Sequence, residues 1–251
     1  MNKKIRIMDV DLNILDNEQL EEKVREYLEN DYLNVILLAS EKLLLYAAEN
    51  QEFREKLLRA DLILSGEEEL LGMHHGQVLK EGGMIVSYRC LERLLQAFRG
   101  EGKTVYIVYD NERYIRFIEN AFRNPQSGAV LAGSAMEQEM TDESIVNEIN
   151  SLAPDVLLIA MEVPKQEEWI MTHSTQLNSK LCLGLGGIMD QMITEYKAEP
   201  AIISKLHLSR IYNALVRHNH YKKVRKEKFF RQKLKEYRKE KKGNSDENTS
   251  K

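Results

Sequence analysis

"PDVLLIAMEVPKQEEWI", Pro154 to Ile170, is the stretch whose reading decides the fold. Val156 to Ala160 form an apolar run without a charge, and the chain soon gives way to Pro164, Lys165, Gln166, Glu167 and Glu168. A run of that size, bounded by polar residues, predicts a buried strand. Proline suits the first turn of a helix, where its missing N–H would be unpaired anyway. The stretch therefore predicts a strand that opens through a polar turn directly into a helix.

Outward from it the same rhythm repeats. "KIRIMDV", "LNVILLAS", "ADLILS", "KTVYIVYD", "GAVLAGS" and "KLCLGLGG" are further strand candidates. Between them, stretches such as "EQLEEKVREYLEN" and "DESIVNEINSL" carry apolar residues at three- and four-residue spacing, as on one buried helix face. Such alternation predicts βαβ units with right-handed crossovers: an α/β fold with a largely parallel sheet. Strands this rich in Val, Ile and Leu suit a sheet covered by helices on both faces. Ser65 to Gly83 breaks the rhythm and reads as a loop with a short helix. After Pro200 the pattern is helical and basic. The expected division is an α/β domain over 1–198, a basic helical appendage over 199–242, and a disordered polar tail over 243–251.

Hydrophobic residues make up 43% of the 251, enough for a sizeable core. Two cysteines, Cys90 and Cys182, are too few for a disulfide framework and point to a reducing cytoplasm. No apolar run approaches the roughly 20 residues of a membrane span, and no signal peptide is read at the start, so the expectation is a soluble chain or one attached to a membrane surface. The net charge of −4 hides an asymmetry: Arg217 to Lys242 carry 13 Lys and Arg against 3 Glu. An acidic body with a basic end points to a polyanionic partner.

Ligands of open parallel sheets sit beyond the carboxyl ends of the strands. Pro164, Lys165, Gln166 and Glu167 fall there. Lys165 suits a phosphate, and Gln166 both donates and accepts, as recognition of a base or sugar requires. An ordinary helix start, with Glu167 and Glu168 favoured by the helix dipole, explains the same residues without a ligand. The next strand ends in "CLGLGGIMD", where Gly184, Gly186 and Gly187 allow close backbone approach and Asp190 is placed to cap a helix or hold a ribose hydroxyl. Asp9 and Asp11 have the spacing of an acidic pair, and His74 and His75 are neighbours, but neither makes a metal site. The basic end interleaves aromatic and aliphatic residues with its charges. Lys222, Lys223, Arg225, Lys226, Phe229, Phe230 and Arg231 are read as membrane-contacting. The first half of that stretch is expected to pack and the second half to bind, with RNA the competing polyanion.

These residues resemble the WecG/TagA/CpsF glycosyltransferases. The first motif matches a "DVLLVGLGSPKQEKWI" stretch of that family, and "CLGLGGIMD" matches its "GVGGAFD". Leu38 to Ser65 aligns without gaps to its "TANPEMLxLAxxDPEFRxxLxxADLxxP". The likeness covers roughly residues 3 to 225. It implies a Rossmann-like fold and sugar transfer from a UDP-sugar to a polyprenyl-diphosphate-linked acceptor at the inner face of the cell membrane, in teichoic acid, capsule or related polysaccharide assembly. It implies no metal and no other cofactor, with Gln166 and the Gly184 to Asp190 loop lining the nucleotide-sugar pocket. Expected partners are the UDP-sugar, the lipid-linked acceptor, an anionic membrane surface, and a homo-oligomer or an active glycosyltransferase; nucleic acid is not expected.

Several family positions differ. The Thr and Asn of the "TxN" loop fall on Leu38 and Ser40, the catalytic Asp of the "PDG" loop on Gly66, paired glycines on Tyr109 and Asp110, and the arginine of the "RAP" segment on Ala198. Glu67 and Glu68 are the nearest substitutes for the Asp. Two readings follow: a divergent transferase, and a non-catalytic relative that binds or regulates an active one.

Overall fold

The structure, a computed structural model, describes residues 3–67, 70, 102–123, 130–190, 193, 225 and 228–241, with backbone alone at 120–123. The chain opens with an antiparallel hairpin, β1 (Lys3–Ile7) and β2 (Val10–Ile14), which forms a two-stranded sheet of its own. "KIRIMDV" predicts one strand; instead the chain turns at Met8 and Asp9. Both adopt left-handed backbone, φ 47° and 62°, as a two-residue hairpin turn of this kind requires. Neither is the glycine or asparagine that normally signals such a turn, so the strand pattern reads straight through it.

Six parallel strands make the main sheet: β3 (Asn34–Ala39), β4 (Leu62–Ser65), β5 (Thr104–Tyr109), β6 (Val130–Met136), β7 (Val156–Ala160) and β8 (Leu181–Gly184). Their order is β4–β3–β8–β7–β5–β6. From the centre, β3 and β4 step one way and β5 and β6 the other; β7 and β8 fill the middle. The strand of the opening motif and the strand of the glycine motif are thus neighbours.

The described helices are α1 (Asn17–Glu29), α2 (Glu41–Glu49), α3 (Gln51–Leu57), α4 (Glu112–Arg123), α5 (Asp142–Leu152), α6 (Lys165–His173) and α7, which spans 228–241. Their starts follow local chemistry. Asp16 and Gln19 form a reciprocal capping box on α1, while Ser40, Asn50 and Thr141 accept backbone N–H bonds at the starts of α2, α3 and α5. Each such cap contributes about 1 kcal/mol. Helix α1 buries Leu20, Val24, Tyr27 and Leu28, one stripe at helical spacing. Helix α5 ends at Ala153, in left-handed conformation, just before Pro154.

Alternate residues of the strands feed two apolar layers. Val35, Leu37, Ala39, Leu157 and Ile159 join the hairpin and α2, α3, α5, α6 and α7 on one face. Ile36, Leu38, Val156, Leu158 and Ala160 join α1, α4 and Ile188 on the other. The sheet is therefore covered on both faces, as the apolar runs predict. The boundaries expected near residues 198 and 242, Cys90, and the His74–His75 pair lie outside the described residues. Among the described residues no helix is long and apolar enough to cross a membrane.

Candidate functional site

Most of the buried polar side chains among the described residues gather at the carboxyl edge of the central strands. Ser40 and Glu41 follow β3, Glu67 follows β4, Gln166 and Glu167 follow β7, and all are buried. The Pro164 turn and the glycine turn do face each other. Pro164 sits at the N-cap of α6 through a cis Val163–Pro164 peptide. The Gly186 N–H donates to Gln166 Oε1 at 2.6 Å, and Gln166 Nε2 donates to Glu167 Oε1 at 2.9 Å. Gln166 is 0% exposed. It fills the space between the turns and ties one to the other.

The glycines serve the same closeness. A Cβ on Gly186 would overlap the Met161 carbonyl oxygen, one on Gly187 would lie 2.6 Å from Ser40 Oγ, and one on Gly184 would lie 2.9 Å from Gln166 Nε2. Side-chain and backbone atoms of the protein approach each of these three backbones closely. Glu167 lies 1% exposed, and its Oε2 has no hydrogen-bond partner among the described residues. Burial pushes its carboxyl up to about 7, because the charged form loses its hydration there.

Lys165 and Asp190 carry the accessible charged side chains of the predicted set, with Pro164 and Gly187 half-buried. Lys165 pairs with Glu137, beyond the end of β6, and Asp190 lies 3.4 Å from the Arg113 guanidinium of α4. Asp110 directly follows β5 and accepts the Glu162 N–H at 2.7 Å, latching the end of β5 to the loop before Pro164. Burial raises its carboxyl above the ordinary range. The apolar run into Asp110 marked it as a strand end; nothing in the spacing marked its tie to Glu162. Trp169 holds α6 against α5 by donating its indole N–H to Asp142 Oδ1 at 2.9 Å.

The β3–β4 side is built differently. Gly66 N–H donates to the Ala39 carbonyl at 2.9 Å, and a Cβ on Gly66 would overlap the Ile188 side chain. The volume of a carboxylate at position 66 is thus taken by Ile188, which stands where the resembling motif carries alanine. Glu67, the candidate substitute for an acid at position 66, lies just beyond β4. It is 4% exposed and accepts the Glu41 N–H at 2.7 Å, satisfying a donor that the first turn of α2 would otherwise leave open. Glu68 lies outside the described residues. So do Lys222, Lys223 and Lys226.

Of the residues read as membrane-contacting, Arg225, Phe229 and Arg231 are exposed. Phe230 is a correction: it is 2% exposed and packs in the core with the hairpin. The helical period turns Phe230, Leu234 and Tyr237 to one side, and that side docks. The second half of the basic end therefore packs as well as presenting charge. Among the described residues no group of three or more His, Cys, Asp or Glu is placed to hold a metal.

Curated relatives named N-acetylglucosaminyldiphosphoundecaprenol N-acetyl-beta-D-mannosaminyltransferase, from Staphylococcus aureus strains NCTC 8325 / PS 47, COL and N315, are each 25% identical over 215 residues, 85% of this chain and 85% of theirs. The profile of the Glycosyl transferase WecG/TagA/CpsF family matches residues 5–240, a span that takes in most of the hairpin, both turns of the carboxyl edge and nearly all of α7. The chain belongs to the WecG/TagA/CpsF glycosyltransferase family.

Proposed function

We propose that the chain is a glycosyltransferase that moves a sugar, an N-acetylhexosamine or related hexose, from a UDP-sugar to a polyprenyl-diphosphate-linked acceptor in cell-envelope polysaccharide assembly. The observation that carries this reading is the family match running through an edge where the Pro164 and glycine turns are locked together by Gln166. In such a transfer the acceptor oxygen bonds the anomeric carbon, UDP leaves, and the acceptor hydroxyl gives up its proton. Gln166, Glu167 and the three glycines fix the shape of the two turns. Lys165 and Asp190, at the accessible rim, meet the donor, and Lys165 exchanges Glu137 for a phosphate. The reaction runs without a divalent metal, and the chain works at the inner face of the cell membrane, with the basic face of α7 toward anionic lipid.

The test is release of UDP from a panel of UDP-sugars in the presence of lipid-linked acceptor. Release that persists in a chelator supports the reading. No turnover across the panel, while an S. aureus relative turns over in the same assay, removes it. One observation favours a second reading: Ile188 occupies the space beside Gly66, so no carboxylate stands there to take the acceptor proton. A positioned base typically contributes about 10²–10⁴-fold in rate. On that reading the chain is a non-catalytic partner of an active glycosyltransferase. It then binds UDP in calorimetry without releasing it from any donor, and co-purifies with such an enzyme.

A further inference from the structure

The bridge between the two turns ends on a carboxyl group. Gln166 Oε1 accepts the Gly186 N–H at 2.6 Å, and Gln166 Nε2 donates to Glu167 Oε1 at 2.9 Å. An amide has one accepting and one donating end, so the oxygen offered by Glu167 decides which way Gln166 points. Turned over, Gln166 would set its Nε2 against the Gly186 N–H, donor on donor. The other carboxyl oxygen, Glu167 Oε2, is closed to solvent and has no hydrogen-bond partner among the described residues.

That second oxygen separates the two protonation states. As part of a carboxylate it carries half a negative charge in a place with neither water nor a donor, which is strongly unfavourable. As part of a neutral acid it leaves only a hydroxyl unpaired. The charged groups nearby do not offset this. Glu168, next along α6, opposes ionisation, and Lys42 of α2 favours it but is paired with Glu162 at 3.1 Å. Lys56 of α3 is held by Glu52. Glu41 and Glu67, the other buried carboxyl groups of this edge, bring no positive charge. The closed packing of Gln166, Glu167 and Gly186 therefore fits the acid form, in line with a carboxyl pushed up to about 7. A nucleotide sugar brings two negative phosphates to the same turns, and a buried charge behind them would repel it.

We infer that Glu167 is a positioning residue that acts in its neutral form, so that binding of the UDP-sugar draws one proton from solution onto its carboxyl group. The proton keeps Gln166 bridging the turns and removes a like charge from behind the phosphates. Resting on the UDP-sugar reading, this role predicts that donor affinity falls as pH rises through the neutral range, because the free protein must then be reprotonated before it binds.

Isothermal calorimetry of the full-length protein tests it, with UDP-N-acetylglucosamine and UDP-glucose as probes. Their diphosphate diesters neither gain nor lose a proton in this range, so any proton taken up belongs to the protein. Titration in Tris and in HEPES, whose heats of ionisation differ, counts those protons. The expected result is about 0.9 proton taken up per ligand at about pH 8, with affinity falling about eight-fold over the unit of pH centred there. Glu167→Gln, which cannot take a proton, is expected to abolish the uptake and flatten the profile. Glu168→Gln, which removes equal charge from the exposed neighbour, is expected to keep the uptake. Lys42→Met leaves the Glu167 carboxyl in place and takes away the cation that favours its ionisation, so the fall in affinity moves to higher pH even if Glu167→Gln does not fold. Binding without proton uptake, uptake that persists in Glu167→Gln, or a profile that Lys42→Met leaves unmoved overturns the role of Glu167 and leaves UDP-sugar binding standing. No binding of either probe from mildly acidic to mildly basic pH overturns that role and the UDP-sugar reading together.

Discussion

The two sides of the carboxyl edge are equally tight but are filled by different chemistry. Between β7 and β8 the filling is polar: Gln166 bonds both the Gly186 N–H and Glu167. Between β4 and the glycine turn it is apolar: Ile188 lies against Gly66. The polar side is closed by hydrogen bonds between side chain and backbone, whereas the apolar side is closed by a branched side chain packed on a glycine. The difference teaches that the frame of the Pro164 and glycine turns is stabilised independently of position 66, since the bonds that join them do not involve that residue.

The largest effect that would break this comparison is on the polar side. Gly186→Ala drives a methyl into the Met161 carbonyl oxygen, where backbone cannot yield cheaply. It is expected to cost more than about 4 kcal/mol, read from the midpoint of chemical denaturation; a near-neutral result means the glycine turn is not packed as described.

Next comes pH. Burial raises the Glu167 carboxyl to about 7 in the folded chain, above the ordinary glutamate value, so the folded state holds its proton longer than the unfolded state. That contribution is complete below the unfolded value near 4.5 and is lost as pH rises through about 7, by an amount on the order of 3 kcal/mol. Glu167→Gln should flatten the fall in stability across this window. An unchanged profile would place the charge elsewhere.

Gln166→Ala strands the Gly186 N–H and one carboxylate oxygen of Glu167 and should cost about 2–3 kcal/mol, with loss of UDP affinity following from misplaced turns. On the apolar side, Gly66→Asp alone should lose about 1–3 kcal/mol by overpacking against Ile188. Combined with Ile188→Ala, the loss should be less than the sum of the single changes, because the two share one volume. Strict additivity would show that Ile188 does not fill that space. If the double variant also gains UDP release, Ile188 is what separates this chain from a working transferase.

The smallest stability effect sharpens the ligand question. Lys165 is partly exposed, so Lys165→Met should change stability by no more than about 1 kcal/mol, yet lower UDP affinity about ten-fold if Lys165 trades Glu137 for a phosphate. Unchanged UDP affinity would leave Lys165 as no more than a surface ion pair.

Much of this was legible in the residues. The apolar runs and helical stripes predicted the covered parallel sheet, and "PKQE" and "GLGG" marked two strand ends that prove to be neighbours. The hairpin was hidden because its turn is Met8–Asp9 rather than a glycine-bearing pair. Gln166, Glu67 and Phe230 were identified as residues of note, but their type did not say what they face.

What the sequence determined by itself is periodicity: which segments form strands, which form helices, and where polar residues interrupt them, all set by neighbours along the chain. What only the tertiary structure decided is the use of each polar group at those interruptions. Gln166 meets Gly186, Glu67 meets Glu41 and Asp9 meets Tyr237, partners brought together by strand order and helix docking. A buried donor or acceptor takes whichever partner the packing brings within about 3 Å, and nothing local to the residue fixes that choice.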